Sequence, residues 1–384
     1  MDIHDFDSIR PFEPNELPQA FESLFKDSQF CGILQSFYKD IPLESLKAQI
    51  SLCKTSLDFQ KIFIYPLIKD LAKKCCKEVS MNTAAIGEQE RNGSFTFVSN
   101  HRDIVLDSAF LNILLIENQY RTTTEIAIGD NLLILPWIRT LVRINKSFIV
   151  QRSVSIREML ASSKRMSQYM NFAINQKHES IWIAQREGRA KDSNDRTQES
   201  VLKMMAMGGE KSPLENLKAL NIVPLAISYE YDPCDYLKAQ EFQLKRDNPE
   251  FKKSQQDDLN NMQTGIFGYK GNVHYHICTP INTWIDEYAE LPKGELFKAI
   301  AQRMDLNIHR RYKLYAINYV AVDLLHGNQT YAAHYNESEK AQFEKYIADR
   351  LALIQIPNKD EAFLRERILT MYANPLINQM KAQA

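Results

Sequence analysis

Four short stretches of this chain carry residues able to do chemistry. The first is V-S-N-H-R-D-I-V-L-D, residues 98–107. His101 stands just past a β-rich apolar run and just before an apolar helical stretch. In α/β sheets, that carboxyl end of a strand is where sites form. An imidazole there can take a proton from an alcohol near neutral pH. A neighbouring carboxylate can hold the ring in one tautomer and stabilise the imidazolium. Asp103 and Asp107 are both candidates for that partner. The same stretch reads equally well as a helix-capping turn with a satisfied histidine and solvated aspartates.

The second stretch, R-I-N-K-S-F-I-V-Q-R at 143–152, sets Arg143, Lys146 and Arg152 at the ends of an apolar strand. Cations there can bind phosphate, Arg bidentately; taken alone, solvated charge is the better reading. The third, I-W-I-A-Q-R-E-G-R-A-K-D at 181–192, runs a strand into a turn at Gly188, with Arg186, Arg189 and Lys191 clustered and Glu187 to orient them. Gly permits backbone conformations closed to other residues, so the turn is a candidate anion cradle; a charged β-turn is the plainer reading. The fourth, N-I-V-P-L-A-I-S-Y-E-Y at 221–231, reads as a buried strand with Pro224 near its start, which suits a strand end or edge.

These stretches need a frame. β-rich runs occur near 95–98, 125–128, 147–150, 181–185, 222–229 and 273–278, and helical patterns run over about 104–117 and 155–176, the latter opened by Ser155 and Glu158 at capping-box spacing. Alternating strands and helices predict an α/β fold with a mainly parallel central sheet flanked by helices. Helical additions stand at both ends. Leu17, Phe21, Leu24 and Phe25 share one face, as do Leu43, Leu46, Ile50 and Cys53; these stripes read as packing faces, with a membrane-docking surface as the other reading. Phe343, Ile347 and Leu351 share another face, as do Phe363, Leu364, Ile368 and Met371. The expected division is a helical subdomain at 1–85, an α/β domain at 86–325 and a helical extension at 326–384. Residues 235–264 are polar and charged and read as an exposed helix or insertion.

Composition narrows the function classes. Lys and Arg total 47 against 48 Asp and Glu, a net charge of −1, which argues against a dedicated nucleic-acid binder. Hydrophobic residues make up 44%, enough for a sizeable core. The six cysteines show no C-x-x-C spacing and read as reduced thiols. The first residues are acidic and lack the basic and apolar parts of a secretory leader. No apolar run reaches the 18 residues or so of a spanning helix. The stretch at 131–144, with its leucines, Trp137 and two arginines, suits a lipid interface and equally a core helix broken by Pro136.

In their order, the four stretches resemble the glycerolipid acyltransferase superfamily. The counterparts are His101 with Asp107, then Arg152, then Glu187-Gly188-Arg189, then Pro224; the run G-N-V-H-Y-H-I-C-T-P-I at 271–281 resembles a further family strand. The likeness covers roughly 93–282. Five residues separate His101 from Asp107, one more than the family has, so Asp103 stays open as the partner. Arg189 follows Gly188 directly, which shifts weight towards Arg186 and Lys191 as phosphate ligands. The resemblance implies transfer of a fatty acyl group from a thioester, on coenzyme A or acyl carrier protein, to a hydroxyl of glycerol 3-phosphate or a lysophospholipid in bacterial membrane lipid synthesis. His101 would be the base, Asp107 its orienting partner. Arg102, Arg143, Lys146, Arg152, Arg186, Glu187, Gly188 and Arg189 would bind substrate. It implies no metal and no cofactor beyond the thioester co-substrate, and no nucleic-acid partner. It also implies a cytoplasmic protein held peripherally at the inner membrane face. Two rivals share the fold: an O-acyltransferase for a phosphate-free aminoacyl lipid, and a non-catalytic lipid-binding protein.

Overall fold

The computed structural model describes residues 2–133, 135–151 and 156–384. Helices α1 (Leu17–Lys26), α2 (Ser28–Phe37), α3 (Leu43–Ser51), α4 (Ser56–Phe59) and α5 (Tyr65–Cys75) come first. Strand β1 (Cys76–Asn82) follows α5 directly. The alternating part runs β2 (Thr96–Ser99), α6 (Leu106–Glu117), β3 (Thr124–Gly129), α7 (Pro136–Ile144), β4 (Ser147–Val150), α8 (Ile156–Asn175), β5 (Ser180–Ala184), α9 (Glu199–Met205), α10 (Pro213–Ala219) and β6 (Ile222–Tyr229). Then come α11 (Asp235–Asp247), α12 (Gln255–Phe267), β7 (Gly271–Ile277), α13 (Lys293–Arg310), α14 (Ala316–His326), α15 (Glu337–Ala352) and α16 (Glu361–Gln383).

The seven strands form one sheet in the order β1-β7-β6-β2-β5-β3-β4. From β6 to β4 every neighbour is parallel. β7 pairs antiparallel with β6, and β1 pairs parallel with β7. The fold is therefore α/β with a mostly parallel sheet, reversed at one edge. Alternation along each strand divides the core. Phe97, Trp182 and Val223 face α5 and α6. Val98, Ile181, Ile183 and Ile222 face α8, α9, α10 and α13. Because successive Cβ atoms point to opposite faces, a single apolar run fills both layers.

Three sequence readings change. The opening helical region also supplies β1, which the sequence reading assigned to no strand; its residues are exposed or half-buried as at an edge, so they show no apolar run. Pro224 lies in β6, an interior strand and not an edge. Its carbonyl accepts from Cys278 N, so its missing donor faces the end of β7 and the β2 ladder is untouched. Pro136 starts α7 instead of breaking it, at the first helical position, where no amide donor is needed.

The end helices form their own cores. The stripes on α1 and α3 close on α7, with Leu17, Phe21, Leu24, Leu46 and Ile50 buried. Trp137 belongs here: its ring lies 6.1 Å from Phe30, and Nε1 donates to Gln29 at 3.4 Å. Phe343, Ile347 and Leu351 pack with Leu364 and Ile368 between α14, α15 and α16. No helix among the described residues is long and apolar enough to cross a membrane. Arg152 and Ser155 lie outside the described residues.

Candidate active site

The turn between β2 and α6 is built from its own polar side chains. Asp103 Oδ1 accepts from the backbone amides of Val105 and Leu106 at 2.9 and 2.8 Å, capping the start of α6. Asp107, in the first turn of α6, reaches back. Its Oδ2 accepts from Arg102 N at 2.6 Å and Asp103 N at 3.1 Å, and lies 2.8 Å from His101 Nδ1. A carboxylate oxygen already taking two N–H bonds is an acceptor, so Nδ1 carries the ring proton and Nε2 keeps its lone pair. Asp107 is fully buried, while the His101 side chain is 15% exposed. The Trp182 ring meets the imidazole edge-on at 5.5 Å. Asp103 is not the histidine's partner. Burial, with the Asp107 carboxylate beside it, raises its pKa above the ordinary carboxylate value.

His101 opens onto a cavity of about 840 Å³ at the carboxyl ends of β2, β5, β3 and β4. Its lining includes the apolar Ile68, Ile126, Ile128, Leu141, Val142 and Met166. The turn after β5 adds Arg186, Glu187, Gly188 and Arg189 together. Gly188 has φ +65, a left-handed conformation that a side chain would strain. Arg186 has no hydrogen-bond or ion-pair partner among the described residues. Arg189 Nη2 donates to Asn261 at 3.3 Å, and its Nη1 is buried without a partner.

Three other expected ligands lie elsewhere. Arg102 points away from the cavity into the protein, where its guanidinium pairs with Asp195 at 2.6 Å and bonds Ser193. Burial opposes its charge, and the Asp195 carboxylate more than restores it, raising its pKa. Arg143 stacks 4.2 Å over Phe12 and donates to the carbonyls of Arg10 and Asp7, tying down the first turn of the chain; burial lowers its pKa. Lys146 is buried, with Nζ bonded to Thr122, Thr123 and Glu179; burial lowers its pKa as well. The strand of 147–150 is short, so cations at its start reach neighbouring loops before they reach the far edge of the sheet. Lys191 does line the cavity, held by Glu241.

The insertion at 235–264 is not simply an exposed excursion. Helices α11 and α12 and the loop between them line the cavity with Lys238, Glu241, Lys253, Asp258, Asn261 and Met262. Their polar sequence concealed this. The signal was position: the segment leaves β6 at the edge where His101 and Arg186 stand.

Residues 83–228 match the acyltransferase family model. The match spans well under half of the chain. The matched residues contain the His101–Asp107 pair, the β5 turn and β6, while α11 and α12 lie beyond them. What this segment is similar to is an acyltransferase domain. No curated protein matches the sequence. Among solved structures, the 1-acyl-sn-glycerophosphate acyltransferase PlsC from Thermotoga maritima is similar to 76% of this chain and 92% of its own, at 12% identity and a TM-score of 0.34.

Proposed function

We propose that the acyltransferase domain transfers a fatty acyl group from a thioester to the hydroxyl of a lipid precursor bearing an anionic group, glycerol 3-phosphate or a lysophospholipid. His101 Nε2 takes the hydroxyl proton as the oxygen attacks the thioester carbonyl. The C–S bond breaks as the ester C–O bond forms, and the imidazolium returns its proton to the leaving thiolate. Asp107 holds the ring and balances the positive charge it gains. Arg186 and Arg189 receive the anion, which fixes the hydroxyl near the base. The apolar side chains of the lining take the acyl chain.

The observation that carries this reading is the shared cavity: a histidine with one nitrogen committed to a buried carboxylate, in one lining with two arginines and a set of apolar side chains. A general base contributes about 10²–10⁴-fold, so His101→Ala should slow acceptor-dependent thiol release by at least that range with an unchanged fold. Near-normal transfer by that variant would sink the proposal. A panel of glycerol 3-phosphate, lysophospholipid and aminoacyl-lipid acceptors separates phosphate from carboxylate as the anion.

Peripheral attachment at the cytoplasmic membrane face is part of the same proposal. Met159, on the cavity wall, is 52% exposed, and Leu160 beside it 68%. Exposed apolar side chains at a lipid-binding cavity suit an interface. Flotation on anionic liposomes should drop for Met159→Glu/Leu160→Glu, and equal flotation of variant and parent removes this face from consideration.

A further inference from the structure

Helix α12 is outside the segment that matches the acyltransferase family, yet it touches both halves of the site. Asn261 and Gly265 are one turn apart and so share a face. Asn261 is 6% exposed. Its Oδ1 accepts from Arg189 Nη2, its Nδ2 donates to Asp257 O at 2.7 Å, and its carbonyl accepts from Cys234 Sγ at 3.3 Å. The amide is thereby held in one orientation. Gly265 lies against the carboxylate of Asp103, so closely that a methyl group there would drive into Asp103 Oδ2. Asp103 caps α6, whose first turn carries Asp107.

The residue type at 261 matters. A guanidinium whose Nη2 faced an alkyl group would lose a partner at a buried site, which is costly. A carboxylate there would bind Arg189 more strongly and cancel its charge. A neutral amide does neither. It aims the guanidinium while leaving the charge, and the unpartnered Nη1, for another group. Lys191, the next cation along the same turn, is instead paired with Glu241 of α11.

We propose that α12 is the acceptor-positioning element of this enzyme. Asn261 is a positioning residue that holds Arg189 in its charged, anion-accepting orientation. The close contact at Gly265 sets the spacing between that guanidinium and the His101 turn. This rests on the transfer reaction proposed above, with an anionic acceptor.

The test uses the purified full chain with an acyl-CoA donor. Two acceptors are compared: a lysophosphatidic acid and the monoacylglycerol that lacks its phosphate. Asn261→Asp is isosteric and should raise KM for the phosphate acceptor about tenfold, the loss of one charge-assisted contact, with kcat within about twofold of the parent. Asn261→Ala should raise KM less. Both should lower turnover of the monoacylglycerol less than that of the phosphate acceptor. Gly265→Ala should lower kcat with KM for the phosphate acceptor held; if it fails to fold, the Asn261 pair decides alone. A parental KM in Asn261→Asp, or equal losses for both acceptors, overturns the inference. Failure of the underlying reading looks different: acceptor-dependent thiol release would be absent from the parent, or unchanged by His101→Ala.

Discussion

Two groups of cations look alike in the sequence and differ in the folded chain. Arg102, Arg143 and Lys146 stand beside strand ends, as Arg186 and Arg189 do. The first three are absorbed into the protein, each by partners far along the chain: Asp195 for Arg102, the carbonyls of Arg10 and Asp7 for Arg143, Glu179 for Lys146. The second two face a cavity with donor capacity left over. Proximity to His101 does not mark a cavity cation. Arg102 is next to His101, and its side chain leaves on the opposite side of the turn. What separates the groups is whether a carboxylate or carbonyl meets the charge before solvent or substrate can.

Substitutions should divide along the same line. Arg102→Met leaves Asp195 buried without its cation, so it should destabilise the fold by about 3–5 kcal/mol, read by urea unfolding. A loss under about 1 kcal/mol would place Arg102 with the cavity cations instead. Lys146→Met should cost about 2–3 kcal/mol, less because Glu179 is 25% exposed and can turn to water. Arg186→Ala should do the reverse. Its stability should stay within about 0.5 kcal/mol of the parent, while kcat/KM for an anionic acceptor falls roughly 10–100-fold, with partial recovery in Arg186→Lys. Equal activity would erase the distinction between the groups.

The smallest effect concerns protons behind Arg102. Burial lowers the His309 pKa to about 4, and burial raises that of Asp305 to about 6. For His309 the unfolded chain binds the proton more tightly, so its contribution to stability falls as pH drops from about 6.5 to 4. For Asp305 the folded chain binds it more tightly, so its contribution rises as pH drops from about 6 to 3.8. The two oppose each other in the parent. Asp305→Asn should therefore steepen the loss of stability between pH 6.5 and 4, by on the order of 1 kcal/mol. Melting temperatures across that range check this, and parallel curves for variant and parent would refute it.

Much of the fold was legible because it rests on short-range pattern. β2 to β7 and the long helices announced themselves through apolar runs and 3.6-residue stripes. β1 did not, since an edge strand of half-buried polar residues has no such pattern. The His101–Asp107 pair was half legible. Both residues were visible, but one extra residue in the turn left Asp103 open until the capping bonds to Val105 and Leu106 assigned it to α6. The charged insertion was read by its composition, and composition does not say which side of a helix pair meets a cavity.

By itself, the sequence determined the residue types, the order of the four blocks and the alternation that builds the sheet. Those depend on neighbours along the chain. The tertiary structure alone decided which cations remain available, which aspartate turns to His101, and that α12 closes over the site. The cations and α12 depend on partners dozens of residues away, and the aspartate on how a short turn closes; burial makes each partner's identity decisive, because a desolvated charge must be met by whatever the fold brings to it.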